Sequence, residues 1–317
     1  MATPKYDASN IRVLEGLDNV RQKYDVIELS KKIKRQGDIL ILSKELKIRL
    51  RSLKSAVEEG RILSFFPNIH KSKVNALSRL KTNRELIKFS NMFNLSQLSV
   101  RTLYKRVLKW NKEIQINPKL LVSDEEHDII LGTLLGDASV RQRQKNSCLR
   151  FSHSIKQRDY CEWKFKIFNK FKISEFREVR RKINERSIHA IDFSTKTHPV
   201  FNYYRNLFYK NGIKKVTKKL LDQLNPRSLA IWICDDGSYS VKQGYMILCT
   251  NSFSLEEHKL MKDFFNEKFN LNPKIGFRDG KYYYLRFRKE DSEKLIKLIK
   301  PFIPKSMVYK IGGTKQW

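Results

Sequence analysis

The sequence lacks the features that define several other classes of protein. No apolar run reaches about 18 residues, which excludes a transmembrane helix. The first residues hold no apolar segment typical of a signal peptide, so we expect an intracellular protein. The four cysteines include no CxxC pair, which argues against a zinc knuckle or a disulfide framework and favours a reducing compartment.

Acidic residues are scarce relative to basic ones. The 317 residues include 65 Lys and Arg against 33 Asp and Glu, a net charge of +32. The excess is spread along the chain, whereas a cationic membrane-surface protein would hold it in one tail or amphipathic helix. The electric field of this large positive charge attracts a polyanion. The predicted partner is therefore nucleic acid, and no membrane association is expected.

Residues 1–118 are predicted to be helical, because apolar positions recur at helical spacing with few glycine or proline interruptions. Leu42–Val57 and Phe89–Val107 each contain a short helix, a break, and then Arg-(Ser/Thr)-Leu-x-x-x-Val. In a helix-turn-helix, the Leu and Val would be buried while basic residues faced a DNA groove. The pattern predicts a helix-turn-helix-like DNA-binding region; the alternative is a helical bundle with solvated Lys and Arg.

The pattern changes after Asn117-Pro118, since a residue before proline leaves the helical conformation. Helical stretches now alternate with runs of period two. Cys148–Ser154 is predicted to be a strand with Leu149, Phe151 and His153 on one face. Asp279-Gly280 predicts a hairpin whose return strand separates one apolar face from one basic, aromatic face. Its two sets are Tyr283, Leu285 and Phe287 against Tyr282, Tyr284, Arg286 and Arg288.

Two apolar segments of this second part end in the same way. One reads ILGTLLGDA and the other LAIWICDDG, and they close on Asp137 and Asp236, 99 residues apart. That spacing is about half of the region, as an internal duplication predicts. A carboxylate at a helix C-terminus faces the negative end of the dipole, and a second carboxylate beside it adds repulsion. A bound divalent cation would remove the conflict; the alternative is that each acid is simply solvated.

Small residues in both segments would let the two helices approach closely. Gly132 and Gly136 share one helix face, as do Ala230 and Cys234. The match is not symmetric, because Ile231 and Asp235 stand where the first segment has its two glycines.

In these two segments and their acids, the chain resembles a LAGLIDADG homing endonuclease of the single-chain, two-motif kind. The resemblance covers about residues 124–317. The likeness extends to residues 151–160, 250–257 and 303–311. It implies an α+β fold of two pseudo-symmetric αββαββα repeats with saddle-shaped antiparallel sheets on DNA, at residues 119–222 and 223–317. The helical region 1–118 lies outside the resemblance.

The resemblance also implies a metal-dependent DNA endonuclease that hydrolyses phosphodiester bonds. Asp137 and Asp236 would bind Mg²⁺ or Mn²⁺, while Lys310 and Lys215 would order the attacking water. Lys214 or Lys218 could substitute for Lys215. Since one chain holds both acids, a monomer acting on double-stranded DNA is expected.

The DNA-contacting residues are predicted to be basic or aromatic residues of the two sheets. Arg141, Arg143 and Lys145 fall at period two, which predicts that they share one face. The full predicted set is Arg141, Arg143, Lys145, Arg150, Arg180, Arg181, Lys182, Arg186, Lys242, Tyr282, Tyr284, Arg286 and Arg288.

A function of another class stays open. A non-cutting nucleic-acid binder, either a maturase that helps an intron RNA to fold or a helix-turn-helix regulator with a relic endonuclease domain, would also be basic. Retention of both acids and a C-terminal lysine argues against the relic, whereas a maturase could keep them all.

Overall fold

The structure is a computed structural model that describes residues 20, 24–33, 38–171, 174, 176–183 and 186–313. The chain divides into two compact units, Met1–Asn111 with Lys170–Glu175, and Lys112–Asn169 with Phe176–Trp317. Among the described residues, no helix is both long and apolar enough to cross a membrane. The division into segments 1–118, 119–222 and 223–317 stays a prediction.

The described part of the first unit contains only helices, as the periodicity predicted. They are α1 (Val26–Lys32), α2 (Asp38–Glu45), α3 (Leu50–Leu63), α4 (Lys71–Leu77), α5 (Asn83–Met92) and α6 (Val100–Ile116). The last of these ends immediately before Asn117-Pro118 and crosses the boundary between the units. A capping box between Thr82 and Glu85 sets the start of α5.

The two segments with the repeated pattern form the helix pairs α2–α3 and α5–α6, and their helix-turn-helix role stays a prediction. Leu53, Leu103 and Val107 are buried, whereas Val57 is half-buried. Arg51 and Arg101 are exposed.

The second unit contains the two predicted αββαββα repeats. The first comprises α7 (Asp124–Leu135), β1 (Ser139–Gln142), β2 (Ser147–Ser154), α8 (Arg158–Phe168), β3 (Arg177–Ile183), β4 (Arg186–Ser194) and α9 (Val200–Phe208). A short hairpin, β5 (Tyr209–Lys210) and β6 (Ile213–Lys214), and α10 (Lys218–Leu221) then lead to the second repeat. This comprises α11 (Pro226–Asp236), β7 (Gly237–Ser240), β8 (Tyr245–Leu248), α12 (Leu255–Phe269), β9 (Lys274–Arg278), β10 (Tyr282–Phe287) and α13 (Lys289–Ile299).

Each repeat forms a four-stranded antiparallel sheet with the same topology. The strand orders are β1-β2-β4-β3 and β7-β8-β10-β9. Helices α8 and α9 pack on one face of the first sheet, and α12 and α13 pack on one face of the second. The identical order confirms the internal duplication that the spacing of the two acids predicted.

The inward faces of the sheets are those that the alternation predicted. Leu149, Phe151 and His153 of β2 are buried, as are Leu285 and Phe287 of β10. Asp279 and Gly280 both have positive φ, 55° and 61°, which is the geometry of a type I′ hairpin turn. The turn places Tyr282 opposite Arg278 and thereby fixes the register of β10 against β9.

Helices α7 and α11 pack along each other at the centre of the second unit. A Cβ atom added at Gly132 would lie 2.3 Å from the carbonyl oxygen of Ser228, and one at Gly136 would lie 2.4 Å from Cβ of Asp235. Only glycine allows backbones this close. Ile231 and Asp235 fill the space that the two glycines leave, so the helix interface is asymmetric, as the sequence indicated.

Candidate active site

The packed helices α7 and α11 end side by side. Asp137 follows Gly136, the C-cap of α7, and Asp236 is the last residue of α11. The backbone N–H of Asp137 donates to Oδ2 of Asp235 across the interface at 3.4 Å. Burial, together with the negative charges of Asp137 and Asp235, raises the pKa of Asp236 to about 8. The carboxylates of the two repeats are therefore close enough to repel each other.

Two lysines occupy equivalent places at these helix ends. Lys310 Nζ donates to the carbonyl oxygens of Asp235 at 3.4 Å and Gly237 at 2.8 Å, the residues on either side of Asp236. In the other repeat, Lys214 Nζ donates to the carbonyl oxygens of Gly136 and Ala138, on either side of Asp137, at 3.4 and 3.0 Å. Each acid is thus flanked by an ammonium group.

Lys214, rather than Lys215, reaches the acids. The Asn211-Gly212 turn, with both φ values positive, sets Lys214 opposite Tyr209, whose hydroxyl accepts the backbone N–H of Val140. Lys215 is 43% exposed and lies 3.7 Å from Glu257. Lys218 is exposed and pairs with Asp222.

Burial lowers the pKa of the Lys214 ammonium below its usual value, although the negative charges of the three nearby aspartates oppose this shift. The sequence did contain a signal for this lysine, because an Asn-Gly turn fixes the parity of a two-residue hairpin.

A buried polar cluster, which we call the Lys164 network, lies beside Asp137. Lys164 and Asp235 form an ion pair at 2.8 Å in which both side chains are 0% exposed. Thr133 and Tyr160 also donate to Asp235, each at 2.8 Å. Burial works to raise the pKa of Asp235, but the Lys164 charge and the hydrogen bonds from Lys164 and Thr133 hold it below its usual value. Asp235 is therefore a structural carboxylate.

The sequence prediction missed the Lys164 network. Its only local signal is that Lys164 lies four residues after Tyr160 and four before Phe168, on a helix face that is otherwise buried and aromatic.

His153 connects this network to Asp137. Its Nε2 lies 3.1 Å from Lys164 Nζ, and its Nδ1 lies 3.3 Å from Oδ2 of Asp137. The imidazole is 1% exposed. The predicted packing of His153 against apolar neighbours is thus only part of its environment.

Asp137, His153 and Asp235 could in principle form a metal site, since their ligand atoms lie within 4.8 Å of one another. However, both oxygens of Asp235 already accept hydrogen bonds from protein donors. The carboxylates of Asp137 and Asp236 would suit a hard cation better, because a divalent ion would relieve the repulsion that, together with burial, raises the pKa of Asp236.

The structure divides the residues predicted to contact DNA from the first sheet. Arg141 is exposed on the face of β1 turned away from the buried Val140. Arg143 and Lys145 lie in the loop after β1, which ends at Gln142, so the predicted shared face does not include them. Arg150 is paired with the buried carboxylate of Asp192 at 2.7 Å.

The remaining predicted residues of this sheet lie on β3 and β4. Arg180 pairs in register with His189, on the face that carries the buried Ile191. This is the face opposite Arg141. Arg181, Lys182 and Arg186 belong to the same two strands, and their side chains lie outside the described part of the structure.

The second sheet presents the basic, aromatic face that the sequence predicted. Arg286 is exposed and its guanidinium lies over the Tyr245 ring, 4.1 Å from the centroid. The Tyr284 ring covers Gly276, where an added Cβ would lie 2.2 Å from Cζ. The half-buried Tyr282 shares this face. Lys242, in the turn after β7, and Arg288, the N-cap of α13, are exposed.

One family profile and several curated proteins match this chain. A profile of the LAGLIDADG DNA endonuclease family matches residues 127–295. The cytochrome b mRNA maturase bI2 of Debaryomyces hansenii is 32% identical over 231 residues, which cover 68% of this chain and 83% of that protein. The probable intron-encoded endonuclease 1 of Wickerhamomyces canadensis is 28% identical over 199 residues, covering 60% and 85%.

One solved structure is similar in fold and in sequence. The homing endonuclease I-WcaI, bound to its DNA recognition sequence, matches with a TM-score of 0.56 and 26% identity, covering 62% of this chain and 88% of that one. The chain spans about half the length of other curated relatives, such as the RecA protein of Mycolicibacterium flavescens, with 26% identity and 47% of that protein covered.

Proposed function

Because the chain belongs to the LAGLIDADG DNA endonuclease family, we propose that it is a site-specific homing endonuclease that makes a double-strand break in a long, asymmetric DNA target. The observation that carries this proposal is the pair of acids, Asp137 and Asp236, at the adjacent ends of two packed helices. Each has a lysine bound to the carbonyls on either side of it.

The proposed chemistry is hydrolysis of one phosphodiester bond in each strand. Asp137 and Asp236 would hold Mg²⁺ or Mn²⁺, which supplies an activated water and stabilises the entering and leaving oxygens. Lys214 and Lys310, which are tied to the backbone next to the acids, place a positive charge where negative charge develops on the phosphate. They also hold the helix ends in position for both acids.

The sheets would bind DNA through the faces turned away from the helices. Arg141 in the first sheet and Arg286 in the second are exposed there, and Tyr282 and Tyr284 add aromatic surface. A two-stranded ribbon fits the major groove, and arginine is well suited to a guanine edge or a phosphate. Because the two sheets present different side chains and one chain supplies both acids, a monomer should recognise an asymmetric site.

Selection of cleaved sequences from a randomised duplex library with Mg²⁺ tests this function. We expect one long consensus without twofold symmetry, and a cleavage rate that rises linearly with protein at low concentration. A palindromic consensus, or a rate that rises with the square of protein concentration, would contradict the monomer. Failure to enrich any sequence would contradict the endonuclease.

Lys214, the last residue of β6, and Lys215, which follows it, should differ in their effect on the cleavage rate. Lys214→Met should lower the single-turnover cleavage rate by about 10–100-fold, because it removes the ammonium beside Asp137. Lys215→Met is the matched control and should cut within about twofold of the wild-type rate, because Lys215 lies at the surface by Glu257. The reverse order of the two effects would return the role to Lys215.

The raised pKa of Asp236 predicts a stability effect in the metal-free protein. A carboxyl whose folded pKa is about 8 favours the folded state below its ordinary value of 3.8, and that contribution is lost as the pH rises toward 8. Asp236→Asn should therefore raise the thermal midpoint at pH 8 by about 2–5 °C.

Addition of Mg²⁺ or Ca²⁺ supplies the control for this measurement. A cation bound at the acids should raise the wild-type midpoint and should raise that of Asp236→Asn less. A midpoint that falls in Asp236→Asn, or equal metal-dependent shifts in both proteins, would contradict a shared acid site.

We propose that the helical region adds a DNA contact through α6 in a helix-turn-helix arrangement. Arg101 and Lys105 are exposed on this helix, opposite the buried Leu103 and Val107. Replacing both with alanine should reduce the slope of log affinity against log salt by about 2, since each phosphate contact releases counterions. The control Lys294→Ala/Lys297→Ala removes equal charge from exposed positions of α13. Equal slopes in the two variants would leave α6 without a DNA contact.

A second candidate function is an intron RNA maturase. It is favoured by the similarity to the cytochrome b mRNA maturase bI2 of Debaryomyces hansenii. The library selection separates the candidates, because a maturase without cutting activity would enrich no cleaved DNA but would promote splicing of an intron RNA.

A further inference from the structure

The Lys164 network has no counterpart in the second repeat. Ser139 and Ser238, each two residues after an acid, pair with Arg150 and Ile247, which are 97 residues apart. Helices α8 and α12 start at Arg158 and Leu255, also 97 residues apart. The same offset therefore relates the buried side chains of the two repeats.

With this offset, His153 corresponds to Thr250, and Lys164 corresponds to Met261. Met261 is buried and apolar, and the Thr250 hydroxyl contacts His258 Nε2 at 2.6 Å. In the two helices that lead to the acids, Asp235 of α11 corresponds to Gly136 of α7. The position equivalent to the Lys164–Asp235 ion pair, with the two repeats exchanged, thus holds a methionine and a glycine. Within the described part of the chain, only Asp137 of the two acids has such a network beside it.

The donors of Lys164 determine the tautomer of His153. An ammonium group has three N–H donors and no acceptor. Those of Lys164 face Thr133 Oγ1 at 2.7 Å, both carboxylate oxygens of Asp235 at 2.8 and 3.1 Å, and His153 Nε2 at 3.1 Å. Nε2 must therefore accept, which places the ring proton on Nδ1.

The proton on Nδ1 is directed toward the acid of the first repeat. Nδ1 has no hydrogen-bond partner among the described residues, and it lies 3.3 Å from Oδ2 of Asp137. A buried N–H without a partner is costly, so a small rotation of the Asp137 carboxylate to accept it would stabilise this arrangement. The network thus favours one orientation of the Asp137 carboxylate.

We propose that His153 is a positioning residue that holds the Asp137 carboxylate and so makes the two cleavage centres unequal, with one DNA strand cut at a rate that depends on His153 and the other not. The inference rests on the proposed endonuclease function. Because a displacement of about 1 Å near reacting groups can cost 10²-fold in rate, loss of this contact should be measurable on one strand.

Two near-isosteric variants separate the two contacts of the ring. In His153→Gln, the amide reaches the position of Nε2 and keeps a partner for Lys164, but it loses the donor toward Asp137. In His153→Asn, the amide nitrogen takes the position of Nδ1 and keeps the donor, but it loses the partner for Lys164. Both retain a buried polar group, so the chain should fold with either.

The measurement is single-turnover cleavage, with Mg²⁺, of a library-selected duplex that carries a different fluorophore on each strand. His153→Gln should slow one strand at least tenfold and leave the other within twofold of wild type. His153→Asn should preserve the wild-type ratio of the two strand rates while lowering the thermal midpoint.

Equal slowing of both strands by His153→Gln would overturn the inference and indicate a packing role alone. The same change of ratio in both variants would also overturn it. A wild-type protein that cuts neither strand would instead overturn the proposed endonuclease function, and the inference with it.

Discussion

Asp137→Asn or Asp236→Asn should abolish double-strand cleavage while DNA affinity stays within about threefold of wild type. If the proposed metal ions activate the water and contact the phosphate, those interactions would be worth several kcal/mol, so the cleavage rate should fall by about 10³-fold or more. Affinity should persist, because in the proposed DNA complex most of it would come from Lys and Arg of the sheets at the phosphate backbone.

The matched control for these variants is Asp263→Asn, an exposed position of α12. It removes the same charge and should cut at the wild-type rate. Cleavage at wild-type rates in either active-site variant would remove the assignment of Asp137 and Asp236 as metal ligands.

The second large effect concerns stability and the Lys164–Asp235 ion pair. Lys164→Met leaves the buried Asp235 carboxylate without its cation, which typically costs 3–5 kcal/mol. For a protein of this size the thermal midpoint should fall by about 10 °C. Asp235→Ala should cause a similar loss, because it leaves the buried ammonium unpaired.

The double variant Lys164→Met/Asp235→Ala provides the decisive comparison. It reproduces the apolar character of the equivalent position in the second repeat, where Met261 is fully buried. It should be more stable than either single variant, since no unpaired charge remains. Lys166→Met, at an exposed position of α8, is the control. Additive losses in the double variant would contradict a coupled pair.

The parts of the fold that depend on local patterns could be predicted from the sequence. The two helices that end in aspartates, the glycines that let them pack, and the Asp279-Gly280 hairpin each follow from neighbouring residues. The duplication followed from the spacing of Asp137 and Asp236. In each case the determining interactions are short in sequence or are repeated in both halves.

The features that the sequence prediction missed depend on contacts between distant residues. In the sequence, Asp235 is only the residue before Asp236. The structure shows that Lys164, from the other repeat, neutralises its charge. Arg180 and Arg141 lie on opposite faces of the first sheet. Alternation along a strand fixes which residues share a face, but it does not fix which face is buried. The proposed role moves from Lys215 to Lys214 because of a two-residue turn.

Our proposal depends most on Asp137 and Asp236, one from each repeat, as the ligands of the catalytic divalent ions. Anomalous diffraction from crystals of the wild-type protein with its selected DNA target and Mn²⁺ tests it most directly. We predict manganese peaks against the carboxylates of Asp137 and Asp236, with Asp235 still paired to Lys164. A manganese ion bound by His153 and Asp235, or no peak at either catalytic acid, would contradict this assignment of the ligands.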